Sequence, residues 1–274
     1  MTAPTGSSSS DHTERRTDSS SPDDPGDVAA EILALDSPTI IVFDCDGVLA
    51  PLTDHADDSV LSDGVLALLT SLSRDGQTHG VSVAILSGRS LDGLAQFDFP
   101  STLTVLGSYG GEHRDRPTLA LDDVESARFD ALDDAAQIAL VTAGDGAWIE
   151  RKPASLVLHV RQAEASAGSA GLRQLAELQK AIPGSDAHAG NDVLEVLARP
   201  NDKGSALERL RSEEEPGSMV YLGDDVPDED AFAVLGDRDL SIKVGPGATR
   251  AGRRLDGPDA VTELLRALVA GVSG

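Results

Sequence analysis

Two aspartates one residue apart, Asp44 and Asp46, stand where the apolar run Thr39-Ile40-Ile41-Val42-Phe43 ends, in the segment Asp44-Cys45-Asp46-Gly47-Val48-Leu49. In an extended chain alternate residues face one side, so both carboxylates leave the strand end together. One can attack phosphorus while the other moves a proton, provided their surroundings separate their pKa values. Gly47 lets the chain turn away sharply. An acidic turn closing a strand is the plainer reading of the same residues. Cys45, between the two aspartates, points the other way and reads as a buried apolar residue.

A second acidic group follows another apolar run, in Gly223-Asp224-Asp225-Val226-Pro227-Asp228-Glu229-Asp230. Carboxylates gathered at the end of a buried strand are costly unless a cation compensates them. Separated carboxylates plus a substrate phosphate form the oxygen set that Mg²⁺ takes, which nominates Asp224, with Asp225 and Asp228 in support. Glu229 and Asp230 read as an acidic helix start, where negative charge suits the dipole. Two further places suit phosphate. Backbone N–H groups at Ser87-Gly88-Arg89, expected to open a helix, can hold phosphate oxygens. Lys203, at the start of another expected helix, can offset charge on a phosphoryl group in transfer.

These residues need elements to place them. The run 39–43 is continuously apolar and 81–86, 103–106 and 219–222 are largely so, the pattern of strands buried on both faces of a parallel sheet, and 240–244 is expected as a further strand. Helical spacing recurs at 59–73, through Val60, Leu61, Val65, Leu68, Leu69 and Leu72, and again at 203–211, 229–235 and 258–269. The chemically suggestive residues then fall at carboxyl ends of strands, where open α/β sheets place their sites. The middle differs. Expected helices at 121–140 and 172–181 alternate with short strands at 147–150, 156–160, 186–189 and 193–197, which suits a small α+β layer inserted into the main sheet.

The 274 residues carry 47 acidic against 22 basic side chains, a net charge of −25, and only four of the basic residues are lysine. A nucleic-acid binder needs a basic stripe, and an anionic membrane surface repels such a chain. No apolar stretch approaches the length of a membrane span, and the start has no apolar core of a secretory signal. One cysteine forbids an intrachain disulfide and fits a reducing, cytoplasmic compartment. The Ser-, Asp- and Pro-rich residues 1–27 read as a disordered tail. That leaves most of the charge on the folded part, where self-repulsion is tolerable if salt shortens the screening length. We read the acidity, with arginine preferred to lysine, as adaptation to a salt-rich, halophilic cytoplasm.

Together, Asp44/Asp46, Ser87, Lys203 and Asp224/Asp225 resemble the four motifs of the haloacid dehalogenase superfamily of phosphohydrolases. The resemblance spans residues 38–270. It implies an α/β, Rossmann-like parallel-sheet core, at 28–112 and 193–274, with an inserted α+β cap domain of C2 type at 113–192. It makes Asp44 the nucleophile that forms an aspartyl-phosphate, and Asp46 the acid and base. It also implies Mg²⁺ held by Asp44, Asp224 and the Asp46 carbonyl, with Asp225 beside them, and phosphate bound by Ser87, Gly88, Arg89 and Lys203. Within the inserted part, Glu150-Arg151-Lys152-Pro153, His159-Val160-Arg161 and 195–204 add to Gly107-Ser108-Tyr109-Gly110-Gly111-Glu112 and to 223–232. On strands Glu150 with Lys152, and His159 with Arg161, each share a face. These segments resemble trehalose-6-phosphate phosphatases, which implies that Glu112, Glu150, Lys152, Arg161 and Glu195 grasp the disaccharide. It also implies functional pairing with a trehalose-6-phosphate synthase.

The chain departs from that family at Val48 and Pro227, where threonine is usual, and at Asn191 and Asp192, where a basic residue is frequent; no required carboxylate is lost. Trp148 reads as a core residue of a strand, with stacking on a sugar the other possibility. Two rival readings remain at this level: a related capped phosphatase for sucrose phosphate or mannosylglycerate phosphate, and a non-catalytic sugar-phosphate sensor. The charge reading has its own test. Dialysis into low salt is expected to lower the melting temperature, and a melting temperature independent of salt removes it.

Overall fold

The computed structural model describes residues 21–53, 58–117, 120–190 and 192–273. Along the chain these form α1 (Pro25–Leu33), β1 (Thr39–Phe43), α2 (Val65–Asp75), β2 (Val81–Leu86), α3 (Leu91–Leu94), β3 (Thr104–Gly107) and β4 (Glu112–His113). There follow α4 (Asp123–Ala143), β5 (Trp148–Arg151), β6 (Ser155–His159), α5 (Ala165–Gln179), β7 (Asp186–Gly190) and β8 (Val193–Leu197). The chain closes with α6 (Lys203–Glu214), β9 (Ser218–Gly223), α7 (Asp228–Val234), β10 (Leu240–Val244), β11 (Arg253–Leu255) and α8 (Pro258–Val272). Two compact units result, one from residues up to Val83 and from Leu210 onward, the other from Ala84 to Arg209.

In the first unit β9 runs parallel to β1 on one side and to β10 on the other, and β11 continues the parallel pairing beyond β10. Every residue of β1 and of β9 is buried, as continuous apolar runs in a parallel sheet require. α8 packs against α1 and α2. The first of these helices starts inside the expected tail: Asp24 caps it by accepting from the N–H groups of Gly26 and Asp27, and Pro25 sits in its first turn. Val28, Ala29 and Ile32 then bury, so residues 24–27 belong to the fold. The rest of that expectation, residues 1–20, lies outside the described residues. α2 starts at Val65, later than the expected 59, because Gly64 in the left-handed region breaks the run and leaves Val60 exposed.

The second unit carries the paired ends of β2 and β3, parallel, with β4 antiparallel to β3. It also holds a separate four-stranded antiparallel sheet in the order β5-β6-β8-β7. The fold is thus α/β, a mainly parallel sheet with helices, with an additional antiparallel α+β layer. Alternation divides that antiparallel sheet cleanly. Leu156, Leu158, Leu194 and Val196 pack with Leu132, Ala136, Ala139 and Leu175 of α4 and α5, while Glu150, Val157, Glu195 and His188 stand in one row across the opposite face. α5 begins at Ala165 and not at 172, through glycines that serve close packing. A Cβ on Gly171 would meet the Ala143 Cβ at 2.6 Å and the Ala139 carbonyl at 2.9 Å.

α4 opens with a reciprocal cap: Asp122 accepts from the Glu125 N–H, and Glu125 accepts from the Asp122 N–H. Arg199 clamps the same carboxylate through Nε at 2.8 Å and a second guanidinium nitrogen. Arg199 first, and the Asp122 N–H second, hold the Glu125 carboxyl at about 2, against an ordinary 4.5. The stabilisation is therefore complete above pH 4.5 and is lost as the pH falls toward 2. In Glu125→Gln, denaturant unfolding at pH 7 is expected to show a loss of about 1 kcal/mol. That difference from wild type should close between pH 4.5 and 2.

Candidate active site

The first unit gathers its carboxylates where β1 and β9 end side by side. Asp44 follows β1, and its N–H donates to the Leu222 carbonyl at 3.0 Å, which carries the ladder one residue past the strand. Asp44, Asp224 and Asp228 each place one oxygen within 4.8 Å of the others. Asp44 is buried, Asp224 half-buried and Asp228 fully buried. The carboxylates of Asp44 and Asp228 are oriented by the backbone and by a neighbouring hydroxyl. The Cys45 N–H donates to Asp44 Oδ1 at 2.7 Å. Asp228 Oδ2 accepts from the N–H groups of Asp224 and Asp225, both at 2.8 Å, and its Oδ1 accepts from the Tyr221 hydroxyl at 2.6 Å. Burial first, and the charges of Asp228, Asp44 and Asp224 after it, push the Tyr221 phenol well above its usual range, so it remains a donor. Lys243, buried on β10 opposite Gly223, donates through Nζ to the Asp224 carbonyl.

Asp46 stands apart from this cluster. Its Oδ1 accepts from the buried Ser59 hydroxyl at 3.0 Å, and it remains half-exposed. Gly47 explains the close approach of the two strand ends. Its φ is +75°, and a Cβ there would lie 2.0 Å from Asp224 Oδ2. Gly223 does the same for Asp228, whose Cγ would be 2.3 Å from an added Cβ. Asp225 is exposed, and its N–H rather than its carboxylate is engaged in the cluster. The carboxyl oxygens of Asp44 and Asp224, with Asp228 fixing the loop beneath them, are the donor set of a hard divalent cation.

The second unit holds the remaining expected residues. Ser87 is buried after β2, and its Oγ accepts from the Arg89 N–H at 3.2 Å. The helix expected at 87–89 opens later, at Leu91, with Ser90 as its cap, so Ser87-Gly88-Arg89 is a turn before a four-residue helix. The Ser87 and Arg89 carbonyls accept from Tyr109 and Ser108, which ties this turn to the loop after β3. The Arg89 guanidinium lies over the Phe97 ring at 5.4 Å. Lys203 is buried in the first turn of α6, a helix opened by reciprocal bonds between Asp202 and Ser205.

Glu112, Lys152 and Glu195 line one pocket with Ser108, Ser155 and Asn201. Lys152 Nζ lies 3.1 Å from Glu195 Oε1, which also accepts from the Ser155 hydroxyl at 2.6 Å. Glu112 Oε2 accepts from the Leu91 N–H and the Ser108 hydroxyl, both at 2.9 Å. Glu150 stands on the same sheet face, outside that pocket, and accepts from His159 Nε2 at 3.0 Å, a bond that lowers its pKa. Arg161 is exposed in the turn after β6, because the strand ends at His159 and the shared face with it. Trp148 is half exposed, and the expected core placement is overturned: it stacks on His159 with centroids 3.9 Å apart and rings parallel within 1°. Asp192 is in the left-handed region, whereas Asn191 lies outside the described residues.

Three participants were not singled out from the sequence. Tyr221 and Lys243 lie inside apolar runs, where strand register alone brings them to the cluster. Tyr109 packs its ring on Gly88, where a Cβ would sit 2.8 Å from it, and stacks on His188 at 4.9 Å.

An α/β sheet with clustered carboxylates at strand ends and an added antiparallel layer is the fold of known phosphatases, and comparison with them gives the class. The chain belongs to the trehalose-phosphatase family, whose model matches residues 42–256. It is 34% identical over 227 residues to the trehalose-6-phosphate phosphatase of Escherichia coli strain K12, covering 79% of this chain and 82% of that one. Among solved structures, Aspergillus fumigatus trehalose-6-phosphate phosphatase aligns with a TM-score of 0.64 and 26% identity, over 91% of this chain and 98% of that one. The C-terminal domain of the Candida albicans enzyme gives 0.69 at 23% identity, again over 91% and 98%, a likeness of fold.

Gly47→Ala is expected to displace Asp224 by about an ångström and to lower phosphatase turnover about 100-fold or more. Steady-state assay with a thermal melt checks this, since the left-handed φ also makes the variant melt earlier.

Proposed function

We propose that this chain hydrolyses trehalose 6-phosphate to trehalose and phosphate through a phospho-aspartyl intermediate on Asp44, with Mg²⁺ as its metal. The observation that carries the reading is the convergence of Asp44, Asp224 and Asp228 in a chain of the trehalose-phosphatase family. Asp44 is oriented by the Cys45 N–H, and the backbone at Asp224 is fixed by its N–H bond to Asp228, so both residues are positioned before substrate arrives. Mg²⁺ held by Asp44, Asp224 and the Asp46 carbonyl would offset the charge of both the nucleophile and the phosphate.

In the first step an Asp44 oxygen bonds to phosphorus as the phosphorus–sugar oxygen bond breaks, and Asp46 gives its proton to the leaving oxygen. In the second, Asp46 takes a proton from water, whose oxygen attacks phosphorus and releases Asp44 and phosphate. Asp46 Oδ1 accepts from the Ser59 hydroxyl whereas Asp44 Oδ1 accepts from the Cys45 N–H, and these different surroundings support separate roles for the two aspartates. Ser87, the N–H groups of Gly88 and Arg89, and Lys203 are assigned to the phosphate. Glu150, Lys152 and Glu195 are assigned to sugar hydroxyls, with Glu112 holding the turn at Leu91 and residues 113–192 acting as a cap. Arg161 is assigned an outer role, given its exposure. The substrate would come from a trehalose-6-phosphate synthase in the same cytoplasm.

A phosphate-release assay decides between the readings. Trehalose 6-phosphate should be preferred over sucrose 6-phosphate, mannosylglycerate phosphate and glucose 6-phosphate. Chelation should abolish turnover, and added Mg²⁺ should restore it. Asp44→Asn should be inactive with an unchanged melting curve. Preference for another substrate overturns the assignment, and a wild-type protein that binds but hydrolyses nothing is a sensor.

A further inference from the structure

The face of the antiparallel sheet turned away from α4 and α5 carries a feature that the roles assigned above leave unused. Lys152, Glu150 and Trp148 lie at alternate positions along one line of chain, so all three present to this face. Lys152 lines the pocket with Ser108, Glu112 and Asn201, and that pocket abuts the Ser87-Gly88-Arg89 turn through the bond from the Ser108 N–H to the Arg89 carbonyl. From Lys152 to Trp148 is four residues of extended chain, about 13 Å. That is the reach of two linked pyranose rings; one hexose ring seated at Lys152 stops short of it.

Trp148 is held as a platform. One face of its indole lies flat on His159, whose Nε2 is fixed by Glu150 Oε2 at 3.0 Å. With that face covered, the exposed half of the residue is the opposite ring face and its edge. Glu150 is held ionised by the His159 bond, so it is an acceptor beside the ring. An apolar plane next to a fixed acceptor matches a pyranose, whose axial C–H groups form a flat apolar face inside a rim of hydroxyls.

We propose that Trp148, braced by His159 and with Glu150 at its edge, is the subsite for the sugar ring farther from the phosphate. It selects phosphorylated disaccharides over hexose phosphates. The inference rests on the sugar-phosphatase reading above and adds the residue that measures substrate length.

Trp148 is the single tryptophan of the chain, so its emission reports this subsite without labelling. Titration of the full-length enzyme with trehalose should give a saturable change in emission, and glucose at equal concentration should give none. In Trp148→Ala the ratio of kcat/KM for trehalose 6-phosphate to that for glucose 6-phosphate should fall about tenfold, the scale of one aromatic contact. The loss should sit mainly in KM. Trp148→Phe should recover part of it, which separates contact from misfolding, and a purely structural role would lower both substrates alike and leave the ratio unmoved. An unchanged ratio, or emission indifferent to the disaccharide, overturns the proposal. If wild-type enzyme prefers a different disaccharide phosphate, the trehalose assignment falls, and the same ratio measured with that substrate still decides the subsite. If wild type does not discriminate disaccharide from hexose phosphate, the subsite falls too.

Discussion

Asp228 is the residue on which the catalytic end of the first unit depends. It is fully buried, and it uses both carboxyl oxygens on its own surroundings: the Tyr221 hydroxyl on one, the N–H groups of Asp224 and Asp225 on the other. A buried carboxylate is tolerated only when its oxygens are satisfied in this way. The same three bonds close the loop between β9 and α7 over the strand end, and so decide where Asp224 can be. Gly47 and Gly223 are the corresponding steric condition, because a Cβ at either would occupy the volume of Asp224 or Asp228. Attraction and exclusion together bring Asp224 up to Asp44. Lys243, drawn to the Asp224 carbonyl, puts one positive charge beneath a group of three negative ones. A single lysine does not balance three carboxylates, and the remainder is the electrostatic reason for assigning a divalent cation to this place.

In the second unit the organising constraint is the two-residue period of a strand. β5, β6 and β8 send Leu156, Leu158, Leu194 and Val196 under two helices, and this leaves Glu150, His159, Glu195 and Lys152 on the other face without choice. Those polar residues pair among themselves, Lys152 with Glu195 and His159 with Glu150, so the face is organised before any sugar arrives. Groups fixed in this way before binding lower the ordering cost that a ligand on this face would meet.

Much of this was legible in the chain. The strand at 39–43 falls where a continuous apolar run puts it, because burial on both faces leaves one solution. The boundaries that were displaced have local causes. α1 was hidden because Asp24-Pro25-Gly26-Asp27 has the composition of a tail, although the same residues make a cap and a first turn. α5 was shortened because Gly168 and Gly171 weaken helical propensity, whereas close contact with Val160 and α4 demands them. β11 was missed since Arg253 and Arg254 do not look like a strand, yet Arg254 is buried against the Gly245 and Gly247 carbonyls. At the site, aspartates announce themselves at strand ends, but Tyr221 and Lys243 are recruited by register between strands distant in sequence. Trp148 misled for a related reason. Strand alternation fixes which residues share a face, and only the placement of α4 and α5 decides which face is covered.

The net charge of −25 has a consequence for how such a site works. An anionic substrate approaches a protein whose field repels it, so attraction must be local and must act within a screening length of the pocket. Within each unit positive groups are withheld from the surface. Lys203 and Lys243 are buried, and Lys152 is nearly so, whereas the exposed acids of α4 and α6 face solvent. Three of the four lysines therefore sit where the dielectric is low and each charge acts strongly over a short range. Salt weakens the repulsion among exposed acids far more than the field of buried lysines. The scarcity of lysine across the chain and its burial within it are two sides of one electrostatic design.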